Sequence, residues 1–219
     1  MSALFSSFIH PFTVYLFISI YKSADNKHNR SNLLMYCVLF SPSDSCELKL
    51  DTNTAHRNLV LSEDNRTVTA VTEKQPYPDH PERFDYWYQV LCSDGLTGRC
   101  YWEIEWEGRV YLGVTYRGIS RKGNSDDCAL GRNDKSWSLD CHGGGFTARH
   151  NNRYTKIPVP SSSNRVAVYL DWPAGSVSFY SVSSDTLIHL HTFNSTFTEP
   201  LYPGFGFWVD DSSVSLCDI

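Results

Sequence analysis

The sequence predicts an all-β fold: a two-sheet antiparallel β-sandwich preceded by an apolar N-terminal extension. Three observations carry this. From residue 47 onward apolar residues recur with a period of two, as in strands that put one side in a core and the other in water. Turn residues (Gly, Pro, Asn) interrupt that pattern every ~8–12 residues, the rhythm of short strands folding back on one another. Aromatic residues make up 14% of the chain against only two Met, which suits strands better than helices, and no stretch of the body shows a 3.6-residue period.

The elements follow in order. In LVLSEDNRTVTAV (59–71) two alternating runs flank a bend at Glu63 to Arg66, a hairpin. YWEIEWEG (101–108) sets Trp102, Ile104 and Trp106 on one face and Glu103 and Glu105 on the other. RVYLGVTY (109–116) does the same with Val110, Leu112, Val114 and Tyr116, and Glu107-Gly108 between the two runs is expected to close them into a hairpin. SWSLDCH (136–142) reads as a strand ending at a glycine tip, Gly143 to Gly145, and FTARHNNRY (146–154) as strand, turn, strand. Val166, Val168 and Leu170 share a face, Pro173-Ala174-Gly175 makes a turn, and Val177 and Phe179 point inward on the return.

Residues 1–45 do not share this pattern. ALFSSFIHPFTVYLFISIY (3–21) and LLMYCVLF (33–40) are apolar runs around the polar KSADNKHNRSN. A membrane span needs ~20 largely apolar residues, so 3–21 barely qualifies, with Lys22, Lys27 and Arg30 holding its C-terminal side in the cytoplasm. A secretory signal would begin with a basic residue, and none precedes residue 22. Anchor, signal and truncated-gene segment stay open, with the domain proper over 46–219.

A chain of 219 residues is sized for one substantial core. A net charge of −5 supplies no overall positive field for a phosphate backbone, so nucleic acid is excluded as a partner. Seven Cys, at 37, 46, 92, 100, 128, 141 and 217, form no C-x-x-C and no regular framework, and are expected to be mostly buried free thiols in a reducing compartment. Asn-x-Ser/Thr triplets at Asn29, Asn65 and Asn194 do not establish secretion in a Ser/Thr-rich chain.

Residues 140–145, DCHGGG, pose the question of chemistry. On a strand Cys141 and His142 leave opposite faces and cannot serve as nucleophile and base, and no spacing ties Cys141 to His150, His189 or His191. The glycines precede a strand, whereas a phosphate cradle needs a helix N-terminus after them, so a hairpin tip is the better reading. His189 and His191, two apart on a strand, would share a face as metal ligands do, but no third ligand is named by spacing and a polar strand face accounts for them. Asp210-Asp211 lacks the spacing of a calcium loop. The expectation is a chain that is no enzyme, with no cofactor and no metal.

Several ordered motifs resemble the PRY-SPRY domain: LKLDTNTAHRNLVLSED (48–64), PERFDYWYQVLCSDGLTGRCYWEIEWEG (81–108), LGVTYRGISRKG (112–123), NDKSWSL (133–139), VAVYLDWPAGSVSFYSV (166–182) and PLYPGFGFW (200–208). This domain ends many tripartite-motif proteins, butyrophilins, fish NOD-like receptors and stonustoxin-like proteins, and the wording here is most like fish immune-gene copies. Asp51-Thr52 departs from the family's usual Asp-Pro, which loosens one turn. The resemblance implies a PRY part over about 46–100 and a SPRY part over about 101–218 of a bent, concanavalin-like sandwich. No zinc pattern, heptad run or G-x-x-x-x-G-K-[ST] accompanies it, so ligase or nucleotide-hydrolysing activity has no warrant in this chain, and a truncated gene product is the expectation.

The resemblance further implies a non-catalytic module that binds a protein ligand through loops at one end of the sandwich, in innate immune sensing or ubiquitin-ligase substrate selection. The matching loops are 75–88, 116–127, 140–153 and 205–211. Aromatic and Arg side chains supply most interface energy, which selects Tyr86, Tyr88, Tyr116, Arg117, Arg121, Asp140, His142, Phe146 and Phe207 as partner-binding residues. Trp102, Trp137, Trp172 and Phe179 match core positions. Two alternatives stand: a butyrophilin-type sensor of a small phosphorylated ligand using Arg117, Arg121, His142 and Arg149, and a secreted, stonustoxin-like polypeptide. A cytoplasmic location is implied, with membrane anchoring or secretion through 3–21 as the alternative.

Overall fold

The computed structural model describes residues 15–23, 32–40, 42–143, 145–158, 163–183 and 186–219. β1 (Tyr15–Ser23) and β2 (Asn32–Phe40) pair antiparallel as a two-stranded sheet. Most of the apolar run 3–21, over residues 3–14, lies outside the described residues. Among those described, no helix is long and apolar enough to cross a membrane.

The body is an antiparallel two-sheet sandwich. One sheet has seven strands in the order β13 (Thr186–Asn194), β12 (Ser176–Ser183), β11 (Arg165–Asp171), β6 (Arg99–Glu107), β15 (Ser213–Leu216), β4 (Thr67–Ala70) and β3 (Leu59–Leu61). The other has six: β10 (Arg153–Ile157), β9 (Gly145–His150), β8 (Ser136–His142), β7 (Val110–Tyr116), β14 (Leu201–Phe207) and β5 (Gln89–Leu91). The inner faces meet in one apolar core in which Trp102, Ile104 and Trp106 of β6 oppose Val110, Leu112 and Val114 of β7 and Trp137 and Leu139 of β8. Val166, Val168, Leu170, Val177 and Phe179 fill the same core from β11 and β12. Burial of this apolar area is the main favourable term in folding.

The expected hairpins at 59–71, 136–150, 146–154 and 166–182 all form. The pair joined by Glu107-Gly108 does not. β6 pairs with β11 and β15, β7 with β14 and β8, so the turn carries the chain from one sheet to the other. A hairpin and such an arch need the same alternation and the same tight turn, and what separates them is which neighbours occupy the strand edges. Gly108 has φ +76 and its α-carbon faces Ser212 so closely that a Cβ would collide with the hydroxyl, a conformation and a fit that glycine alone supplies without strain.

A disulfide joins Cys46 to Cys100, corresponding to 54 residues of chain separation, so the expectation of free thiols needs correction at these two positions. Cys92, Cys128 and Cys141 are free and buried as expected. The Asp51-Thr52 turn is closed without proline: the Asp51 carboxylate accepts the Asn53 N–H at 3.0 Å, and its carbonyl accepts the Thr54 N–H at 3.0 Å.

Candidate recognition face

The outer face of the six-stranded sheet is itself covered. Leu91, Tyr111 and Tyr202 point away from the main core, and Phe84, Ile119 and Leu130 from the connecting segments pack onto them, with Trp208 at the margin. Gln89, fully buried, fastens this layer: its Oε1 accepts the Tyr111 hydroxyl at 3.1 Å and the Leu130 N–H at 2.8 Å, and its Nε2 donates to the Cys128 carbonyl at 2.7 Å. Every polar atom of the side chain is thereby used, the condition for burying an amide. Gly206 leaves room for the Tyr111 ring, which a Cβ would strike.

On this platform an aromatic and cationic cluster reaches solvent. The Arg132 guanidinium lies 4.8 Å from the Trp87 ring centroid and 5.3 Å from that of Trp208, and Arg109 lies 5.2 Å from Trp208. Trp87 meets Trp208 edge-on at 6.2 Å, and Tyr86 meets Trp87 edge-on at 5.5 Å. The geometry is held from the backbone: Trp208 N–H donates to the Arg109 carbonyl at 3.1 Å, Phe207 N–H to the Tyr88 carbonyl at 3.0 Å, and Trp87 Nε1 to the Ser125 carbonyl at 3.3 Å. Beside it, Arg149 bonds Asp140 at 2.7 Å and lies over the Tyr154 ring at 5.7 Å. Tyr86, Tyr154 and Val209 are 55%, 63% and 50% exposed, leaving apolar surface for a partner to cover.

The nine residues expected to bind a partner divide. Tyr86 is exposed at the edge of this cluster. Tyr88 is half-buried and stacks on His56 at 4.4 Å, and Tyr116 is half-buried against Trp137, its hydroxyl accepting the Thr198 N–H. Arg117 is held by Glu82 at 2.5 Å and Asp51 at 3.2 Å and lies over Tyr202. Arg121 is buried, donates to the Ile119 and Arg117 carbonyls, and sits over Phe84. Asp140 is buried on Arg149; burial pushes its carboxyl up, opposed by the bond and charge of Arg149. His142 is half-buried where β8 meets the hairpin tip.

Phe146 and Phe207 are 2% and 4% exposed and belong to the main core, so neither is placed to touch a partner. Alternation explains both: Phe146 and Ala148 point inward along β9, Phe205 and Phe207 inward along β14. The same alternation, visible in PGFGFW, turns Trp208 outward. Sequence alone does not single out Trp87, Arg109 and Arg132, because only the folded chain brings them together around Trp208. Of the loops expected to bind, 75–88 and 116–127 are joined by Gly123 N–H to Asp85 and Lys122 Nζ to the Arg83 carbonyl, both at 2.8 Å, and Phe84 and Ile119 from them pack on the outer face of the six-stranded sheet. Arg117, Arg121, His142 and Arg149 do not form one basic pocket, since the first two meet at Glu82 and Arg149 is bound to Asp140.

The Cys141 side chain is enclosed and burial raises its thiol well above the ordinary range, so it is no thiolate at neutral pH. His150 is stacked on Trp137 at 4.8 Å with Nδ1 on the Ser136 carbonyl. His189 and His191 do not share a face. A bulge at Leu190 aligns His191 with Phe179 on the core side and His189 with Tyr180 on the outer side, because one extra residue reverses the alternation. Among the described residues no group of three metal-ligating side chains assembles.

Comparison with known proteins places this architecture. The SPRY-associated domain (PRY) matches residues 48–96 and the SPRY domain residues 99–218. Neoverrucotoxin subunit beta of Synanceia verrucosa is 48% identical over 162 residues, 73% of this chain and 23% of the toxin subunit. Tripartite motif-containing protein 16 of Mus musculus is 39% identical over 178 residues, 80% of this chain and 32% of that protein. The chain thus spans less than a third of the length of either. Among solved structures, stonustoxin superposes with a TM-score of 0.75 at 39% identity, covering 80% of this chain and 29% of that one. The PSpry domain of TRIM65 gives 0.73 at 28% identity, covering 81% and 93%.

Proposed function

The chain belongs to the PRY-SPRY family, a family of recognition domains, and from that premise we propose that it captures a protein partner on the outer face of its six-stranded sheet. The observation that carries this is Arg132 lodged between Trp87 and Trp208, with exposed Tyr86 and Val209 beside them. Half-buried aromatic rings around a guanidinium are the composition that concentrates binding energy at interfaces, and the Gln89 bonds beneath hold the geometry before a partner arrives, which lowers the entropic cost of binding. The role assigned is selection of a target in innate immune sensing or for a ubiquitin ligase in which this chain is the recognition part.

Trp87→Ala and Arg132→Ala are each expected to weaken partner affinity by about 10–30-fold, the effect of losing an anchor, with folding intact. Titration calorimetry of a purified partner against both variants checks this, and affinities equal to the unmodified chain refute it.

Two observations favour a second reading, recognition within a secreted toxin-type polypeptide: the similarity to fish toxin subunits and the Cys46–Cys100 disulfide, which suits an oxidising compartment. Mass analysis of the natural protein, with and without reductant, separates the readings: a cleaved, disulfide-bonded product supports secretion.

A further inference from the structure

We infer that a cavity of about 310 Å³ in the N-terminal half of the sandwich is a binding site for a phosphate-class oxyanion. Its wall carries Arg57, Lys74, Arg83 and Lys122, with His56 and His80 between them. Among the described lining residues two carboxylates, Asp79 and Asp85, face these four cations, and Asp51 acts on Arg83 from outside the wall. A local excess of two positive charges in a chain of net charge −5 is a departure from the rest of the molecule.

The carboxylates do not neutralise it from within. Asp79 reaches Arg57 at 2.6 Å from a side chain 99% exposed, so it sits at the rim. One Asp85 oxygen accepts the Gly123 N–H at 2.8 Å. Arg83, 4% exposed, donates to the carbonyls of Thr52, Ala55 and Pro78, and Lys122 Nζ to the carbonyl of Arg83. These two cations are therefore bonded to neutral acceptors, and burial together with the neighbouring Arg57 charge presses the Arg83 pKa downward. An anion entering the cavity supplies the missing counter-charge.

The ligand class follows from charge and size. A phosphate monoester carries about −1.5 to −2 at neutral pH and offers three strong acceptor oxygens, which matches an excess of two. The volume lies at the small end of the ~300–1,000 Å³ range of ligand pockets, room for a phosphoryl group and a few attached atoms. Arg57 and the two lysines are the donor types that hold such oxygens. The cavity shares no lining residue with the Trp87–Trp208 cluster, so the site stands or falls independently of the proposed recognition face.

The experiment titrates the full chain with inorganic phosphate, and separately with a phosphoserine tripeptide, at constant ionic strength, following amide resonances by NMR. Saturable shifts are expected at residues 56–57, 74 and 122, with affinity at least ~10-fold weaker, one decade in Kd, in Lys74→Gln and in Arg57→Gln, both substitutions of side chains that reach solvent. Arg132→Ala is expected to leave phosphate binding unchanged. Tighter binding of the tripeptide identifies a peptide-borne phosphate, and equal binding identifies the free anion; either supports the site. Shifts that fail to saturate, or equal affinity in the Lys74→Gln and Arg57→Gln chains, overturn it.

Discussion

Arg121 and Phe207 show how one side chain's role is decided by what encloses it. Both are residue types that dominate interfaces, and both serve the interior here: Arg121 ties its own loop through two carbonyls over Phe84, and Phe207 fills the space between the sheets. Phe207→Ala is expected to cost about 3–5 kcal/mol of stability through the cavity it leaves, read as a lowered denaturation midpoint; an unchanged midpoint would contradict the core assignment. Residue type alone does not separate these from Trp87 and Arg132. Strand alternation does for Phe207, as it does for Trp102, Trp137 and Phe179, which the sequence already marks as core. Arg132 and Arg109 lie in connections without periodicity, and their meeting with Trp208 depends on contacts distant in sequence.

Strands were legible where their pattern was local, and their partners were not always so. β11 and β12 pair as the alternation and the Pro173-Ala174-Gly175 turn predict, whereas β6 and β7 part into different sheets across an equally tight turn. β13 adds a bulge that no local signal announces, and it sends His191 toward the core and His189 to Tyr180. Burial lowers both imidazole pKa values below the ordinary 6.5, and the neighbouring His191 lowers His189 further; burial lowers that of His56 too. The unfolded chain then takes up protons first as the pH falls, so these histidines contribute stability that is present above 6.5 and lost on acidification through their folded values. Chemical denaturation between about pH 7 and pH 5 should show a decline that His191→Phe makes shallower. An identical decline in that variant would exclude His191 as a source.

At the scale of the molecule, the body is a sandwich with a third, irregular layer. The two sheets follow from alternation, the outer layer from a glutamine and a few apolar residues in loops, which is why the fold was readable and the recognition face only partly so. Among the described residues a covalent tie, Cys46 to Cys100, anchors the start of the domain to β6. Cys46→Ser is expected to lower stability by about 2–4 kcal/mol by freeing the unfolded chain, seen as equal denaturation curves for the variant and for the reduced unmodified protein; no difference between oxidised and reduced protein would remove the tie's contribution.

The central claim, that recognition occurs on the outer face of the six-stranded sheet, is tested most directly by hydrogen–deuterium exchange of the full chain with and without a bound partner. Protection is expected at 85–88, 130–132 and 207–209, where Trp87, Arg132 and Trp208 stand. Protection confined to the β9–β10 turn at 151–152 and the segment 195–200, with none at those three stretches, would contradict it.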